Sequence, residues 1–308
     1  MPNPDWPESV RNAVKAFAAW MEKEDVSQAP AARLLQISRA ALCQTLSGKY
    51  SGDVQRIARA MATLLRREHA RARSMRTPYV KTDIAEQVLE AITNAHAERA
   101  IVFVLGPTGI GKTTAAQHYA QEEPQAVYLE AGPSAAPLGF LRHIGSVLGV
   151  ALSYQSYNMR IALTDALSGS DQLIIIDEAD YLPESTLHHL RLIHDTARIG
   201  MVFIGTEAYL RMLWSRRSTT LDQFLGRVAY VVYPGQCARE DIERLAEPYG
   251  LDREALDILV DGACGQARRA ALALYAVHRY GRGYSARFIR RAFRELMPVI
   301  STADKQNR

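Results

Sequence analysis

Gly106-Pro-Thr-Gly-Ile-Gly-Lys-Thr113 organises the reading of the whole chain. The apolar run 101–105 precedes it and a helix-patterned segment follows, so the G-x-x-x-x-G-K-[ST] spacing lies in a strand–loop–helix setting. Glycines in such a loop let successive backbone N–H groups curl round a phosphate, and the helix N-terminus adds positive potential. The candidate cradle for a nucleoside triphosphate is therefore Gly106, Pro107, Thr108, Gly109, Ile110, Gly111, Lys112, Thr113 and Thr114. Lys112 is expected to span the β- and γ-phosphates, and the Thr113 hydroxyl to ligate magnesium.

Working outward, Leu173-Ile-Ile-Ile-Asp-Glu-Ala-Asp180 is an apolar run ending in acids, the pattern of a buried strand reaching the carboxyl edge of a parallel sheet. Asp177 is the candidate magnesium ligand, acting through water. Glu178 is the candidate general base for the attacking water, and Asp180 is expected to organise the following turn. The letters Asp-Glu-Ala-Asp also occur in a helicase family. Those enzymes need two sheet domains, and residues 80–235 supply one. Candidate strands are residues 100–105, 126–130, 172–176, 201–205 and 228–233. Their continuous Val/Ile/Leu runs suit a parallel sheet covered on both faces, an α/β fold.

The flanks differ from this core. Before residue 65, Val10, Val14, Phe17 and Met21 keep helical spacing. A short helix capped by Ser27, a turn at Gln36-Ile37 and a second helix capped by Ser38 follow, locked by Ala31, Leu35, Ile37, Leu42 and Leu46. Arg39, Gln44 and Lys49 stay outside, an arrangement similar to a helix-turn-helix that enters the major groove. A small bundle docking on protein is the alternative. Residues 66–76 carry five arginines against one glutamate, so Arg66, Arg67, Arg71 and Arg73 are candidate phosphate contacts; a solvated linker is the other reading. Thr77-Pro78 breaks the helix. Helical periodicity returns after residue 236. The expected organisation is an N-terminal all-α helix-turn-helix domain at 1–65, a basic linker at 66–82, a P-loop core with a parallel sheet at 83–235 and a C-terminal helical lid at 236–308.

Composition agrees with a core of this size: 308 residues, 48% hydrophobic and 23% charged, net charge +4. That charge is compatible with a nucleic-acid partner. No apolar stretch approaches the roughly 20 residues that cross a bilayer, and the first residues lack signal-peptide patterning, so no membrane partner and a cytoplasmic location are expected. Cys43, Cys237 and Cys264 have no metal spacing and are expected to be buried thiols.

Three further features resemble the AAA+ ATPases. Thr206 ends the run 201–205, where that superfamily places a polar sensor. Gly265-Gln-Ala-Arg268 resembles the second sensor motif at the start of a lid helix, which implies that Arg268 reaches the γ-phosphate. Arg227, in Phe224-Leu-Gly-Arg-Val228, is similar in position to the arginine finger that completes a neighbouring subunit's site; Arg216 and Arg217 are rivals. A narrower resemblance covers nearly the whole chain. Leu173–Asp177 with its following acids, Leu190-Arg-Leu192, Thr196-Ala-Arg-Ile-Gly200, Gly48-Lys-Tyr-Ser-Gly-Asp53 and Arg291-Ala-Phe-Arg-Glu-Leu296 resemble the Mu B-like family of transposition target-DNA activators. That resemblance implies an ATPase, with ATP and Mg2+, that assembles as a homo-oligomer or helical filament on double-stranded DNA with little sequence preference. It also implies delivery of that DNA to a transposase, with hydrolysis stimulated by both. An ATP-switched transcription regulator and a replication-type loader are the alternatives. Arg142 and Arg160 are candidate DNA contacts. Tyr154 and Tyr157 are expected to pack beneath the sheet, with stacking on bases as the alternative. His188, His189 and His194 are expected to be packing residues rather than a metal site.

Overall fold

The structure, a computed structural model, describes residues 3–23, 26–72, 79–133, 135–216, 218–281 and 283–306; the side chains of residues 23, 66–72 and 297–306 lie outside that description. The chain forms two compact units, Met1–Arg76 and Thr77–Arg308.

The first unit is helical: α1 (Glu8–Lys23), α2 (Gln28–Leu34), α3 (Arg39–Leu46) and α4 (Val54–Ala72). Val10, Val14 and Phe17 from α1 are buried with Ala31, Leu35, Leu42, Ile57 and Met61, so one stripe of each helix builds the core. Ser38 caps α3 by accepting the Ala41 N–H at 3.1 Å. Ser27 holds the N-cap position of α2 with extended backbone, but its side chain makes no cap bond. Gln36 turns the chain between the two helices in a left-handed conformation, φ 55°. Arg39, Gln44 and Lys49 are exposed. Arg66, Arg67 and Arg71 lie on α4 beyond the described side chains, and Arg73 lies outside the described residues.

The second unit contains α5 (Asp83–Glu98), β1 (Ile101–Leu105), α6 (Lys112–Glu122), β2 (Ala126–Glu130), α7 (Pro137–Val147), α8 (Ser156–Leu167), β3 (Leu173–Asp177), α9 (Glu184–Ala197), β4 (Gly200–Gly205), α10 (Glu207–Ser215), α11 (Thr219–Leu225) and β5 (Val228–Val232). The sheet order is β2-β3-β4-β1-β5, and every pairing is parallel. Ile101, Phe103, Leu105, Ile174, Ile176, Met201 and Phe203 face a core shared with α7 to α11. The alternate residues Val102, Val104, Ile175, Val202 and Ile204 are equally buried, on the face where α5 packs against β1 and β4. Burial on both faces explains the unbroken Val/Ile runs.

Phe103 and Phe203 occupy paired register positions on β1 and β4. Their rings stack at 5.1 Å, and Phe224 meets both edge-on, 6.2 and 5.4 Å away. Phe203→Ala is expected to cost about 3–5 kcal/mol, read as a lower urea midpoint for the second unit.

The remaining helices are α12 (Arg239–Ala246), α13 (Arg253–Ala263), α14 (Ala267–Tyr280) and α15 (Ala286–Gln306). Asp241, 1% exposed, joins them to the sheet layer. Its carboxylate accepts the Asp83 N–H at 2.7 Å and the Ala238 N–H at 3.1 Å, so one buried acid caps α5 and α12 together. The Asp83 side chain in turn pairs with Arg244. Among the cysteines only Cys237 is buried; Cys43 and Cys264 are exposed. Cys43 lies on the outer side of α3, and Cys264 occupies the left-handed C-cap of α13, so the expectation of three buried thiols is corrected. Among the described residues, no helix is long and apolar enough to cross a membrane.

Candidate active site

Strand order sets the site. β4 lies between β1 and β3, so the phosphate loop leaving β1 and the acids ending β3 flank a crevice at the sheet's carboxyl edge, where open α/β sheets bind ligands. Gly111 turns the loop into α6 with φ 108°, a conformation open to glycine. Gly205 is needed for another reason: a Cβ there would lie 2.5 Å from Asp180 Oδ2.

One cavity of about 370 Å³ occupies the crevice. Residues 108–114, Asp177, Glu178, Asp180 and Thr206 line its polar part; Val80, Ala85, Leu245 and Ala271 supply apolar wall, and Arg268 enters from α14. Thr108, Gly109, Ile110, Gly111, Lys112, Thr113 and Thr114 are thus brought together as the motif implied. Gly106 and Pro107 stand behind them, where their carbonyl oxygens accept hydrogen bonds from Lys112 Nζ at 2.8 and 2.7 Å. Burial pushes the Lys112 ammonium below the ordinary lysine range, against the pull of Asp177, Asp180 and Glu178. Helix α14 touches the loop directly, since the Arg268 backbone N–H donates to Gly109 O at 2.9 Å.

The acids are held by residues the motifs do not name. Asp177, 4% exposed, accepts Tyr128 Oη at 2.9 Å on Oδ2 and the Glu178 N–H at 2.8 Å on Oδ1. Burial and the Asp177 charge hold the Tyr128 hydroxyl well above the ordinary tyrosine range. Tyr128 lies on β2, one strand beyond β3, so only the pairing of these strands reveals it. Glu178 has left-handed backbone, φ 52°. Partial burial, then Asp177, Asp180 and Glu130, raises its carboxyl above the ordinary range, opposed by Lys112. Asp180 does more than shape a turn. Its Oδ2 accepts the Thr206 N–H at 3.1 Å, and its Oδ1 accepts the Thr206 hydroxyl. Thr206 lines the cavity with that hydroxyl already committed to Asp180, while the same oxygen caps α10 by accepting Tyr209 N.

Other candidates lie away from the cavity. Arg227 donates from Nε to Asp195 Oδ1 at 2.7 Å. Arg216 is exposed at the end of α10, and Arg217 lies outside the described residues. Tyr154 and Tyr157 are 83% and 62% exposed, which corrects the expectation that they pack beneath the sheet: Tyr154 lies on the α7–α8 connection and Tyr157 on the outer side of the first turn of α8. Arg142 lies over the Tyr154 ring at 5.1 Å and Arg160 over Tyr157 at 5.2 Å. Among the described residues, no three His, Cys, Asp or Glu side chains converge as a metal cage. The Thr113 hydroxyl and the oriented Asp177 carboxylate still fit Mg2+, which is typically bound through one or two carboxylates, water and substrate phosphates.

The sheet order and the phosphate loop make this a P-loop fold of the AAA+ type. Residues 95–213 match the AAA domain family. Over 271 residues the chain is 28% identical to the ATP-dependent target DNA activator B of Escherichia phage Mu, spanning 84% of this chain and 87% of that protein. It is 27% identical over 247 residues to the Mu-like prophage FluMu DNA transposition protein B of Haemophilus influenzae, spanning 78% and 86%. The fold is similar to that of the ORC2 protein of Aeropyrum pernix, with TM-score 0.56 at 20% identity over 72% of this chain and 71% of that one. It is also similar to a Walker-type ATPase of Pyrococcus abyssi, with TM-score 0.53 at 12% identity over 76% and 77%.

Proposed function

We propose that this chain is an ATPase that, with ATP bound, assembles on duplex DNA, presents that DNA to a transposase and disassembles on hydrolysis. The observation that carries the ATPase reading is the meeting of Lys112, Thr113, Asp177, Glu178 and Arg268 around one cavity. The similarity to proteins named as target DNA activators supports the DNA and transposase steps. The loop amides and Lys112 hold the phosphates, and Thr113 and Asp177 hold magnesium, which neutralises charge on the phosphates when bound. Glu178 orients a water and takes its proton. Arg268 senses the γ-phosphate from the lid; Thr206 does so as part of a pair with Asp180. Arg227 acts on the nucleotide of a second copy.

Arg39, Gln44 and Lys49 of the helical unit, Arg66, Arg67, Arg71 and Arg73 of the basic run, and Arg142 and Arg160 are the proposed DNA contacts. These act mainly on phosphates, so the affinity for duplex DNA is expected to fall with salt at a logarithmic slope of roughly −4 or steeper, as for about five neutralised phosphates. Fluorescence anisotropy over a salt series measures it. Sharp discrimination between duplex sequences would favour an ATP-switched regulator instead. The direct test of the proposed function is ATPase turnover alone, with duplex DNA, and with duplex DNA plus the cognate transposase. Turnover unmoved by either addition ends it.

A further inference from the structure

Arg227 immediately precedes β5, and Val228 pairs with Ile101 at the start of β1. The phosphate loop begins five residues further along β1, at Gly106. At about 3.3 Å of rise per residue, roughly 16 Å of strand separates the two edges, beyond the reach of one arginine side chain. An anion met by Arg227 is therefore not the nucleotide of its own cavity.

The guanidinium is nevertheless held in a defined way. Asp195, on α9, accepts Arg227 Nε on Oδ1 at 2.7 Å and Arg191 Nη1 on Oδ2 at 2.9 Å. Arg191 is 11% exposed, Asp195 25% and Arg227 49%. One carboxylate thus serves two cations and leaves the cluster with a net positive charge. The bond to Arg227 uses Nε, which leaves the terminal fork of nitrogens, the part that grips phosphate oxygens in bidentate fashion, without an ion-pair partner among the described residues. An exposed ion pair stabilises a fold little, whereas a guanidinium fixed through Nε loses less freedom when its fork meets a ligand.

Resting on Arg227 acting in trans as proposed above, we infer that Asp195 is the positioning residue for that arginine. With Arg191 as its partly buried counter-cation, it presents the Arg227 fork to the triphosphate bound by a second copy of this chain. Asp195 touches no substrate; it works by setting where the fork points.

The test is a double-mutant cycle on the full-length chain. ATP turnover at saturating ATP and duplex DNA is measured for wild type, Asp195→Asn, Arg227→Ala and the double variant, with thermal melts of each. Arg227→Ala is expected to lower kcat by on the order of 100-fold or more. Asp195→Asn is expected to lower it roughly 10-fold with KM for ATP unchanged, since a misplaced catalytic group loses rate steeply, and Asp195→Glu is expected to recover part of that loss. In the Arg227→Ala background Asp195→Asn adds nothing. The inference is overturned if Asp195→Asn costs the same factor without Arg227, which marks a general structural role, or if it leaves turnover untouched while Arg227→Ala abolishes it. Wild-type turnover in Arg227→Ala removes the trans role itself, a failure of the earlier proposal that this cycle separates from failure of the Asp195 inference.

Discussion

Lys112→Ala is expected to weaken ATP binding by at least ~100-fold and, with it, to abolish binding to duplex DNA that depends on ATP. The magnitude follows from what the ammonium does. It is 9% exposed, held by the Gly106 and Pro107 carbonyls, and borders the cavity beside three carboxylates. Triphosphate entering that cavity brings negative charge toward Asp177, Asp180 and Glu178, and Lys112 helps to offset it together with Arg268. Charge-assisted hydrogen bonds contribute about 1.5–3 kcal/mol each, and two of them amount to about two decades or more in affinity. Titration with a fluorescent ATP analogue measures the first effect, and an electrophoretic shift with and without ATP the second. A thermal melt separates lost binding from lost fold, because the substitution also leaves two carbonyl groups without their donor. Wild-type affinity for ATP in this variant would end the assignment of the phosphate site.

Glu178→Gln is expected to separate binding from turnover. The amide keeps the shape of the carboxylate but cannot accept the water's proton, so kcat is expected to fall by roughly 10²–10⁴ while affinity for ATP stays near wild type. If hydrolysis is what releases DNA, complexes of this variant on duplex DNA become long-lived. Electron microscopy with ATP and plain duplex should then show extended assemblies that persist after wild-type ones have gone. Compact monomers on DNA under the same conditions would remove the filament from the proposal while leaving the ATPase in place.

The sheet and phosphate loop were readable in advance because both are local patterns. The buried strands β1, β3 and β4 announce themselves as short runs rich in Val, Ile and Leu, and residues 106–113 carry their geometry in their own glycines. The partners of the acids were not readable. Tyr128 on β2 meets Asp177 on β3, and Asp180 meets Thr206 across the end of β4, contacts that exist only once strand order is known. Nothing in the residues near Tyr128 distinguishes it from any tyrosine on a strand. Asp195 lies 32 positions from Arg227 and was equally hidden. The exposure of Tyr154 and Tyr157 was not readable either, because it depends on the path of the α7–α8 connection and on which side of α8 its first turn leaves uncovered.

The bond from the Arg268 backbone to Gly109 couples α14 to the phosphate turn through main chain alone. Replacing the arginine by most other residues would delete its charge yet leave that tether whole, whereas proline at the same position, lacking the N–H, would cut it. A tilt of the last helices toward or away from the sheet consequently pulls on the peptide at 109 whatever side chain stands at 268, so the proposed contact with the third phosphate and the main-chain link to the loop are separable by substitution.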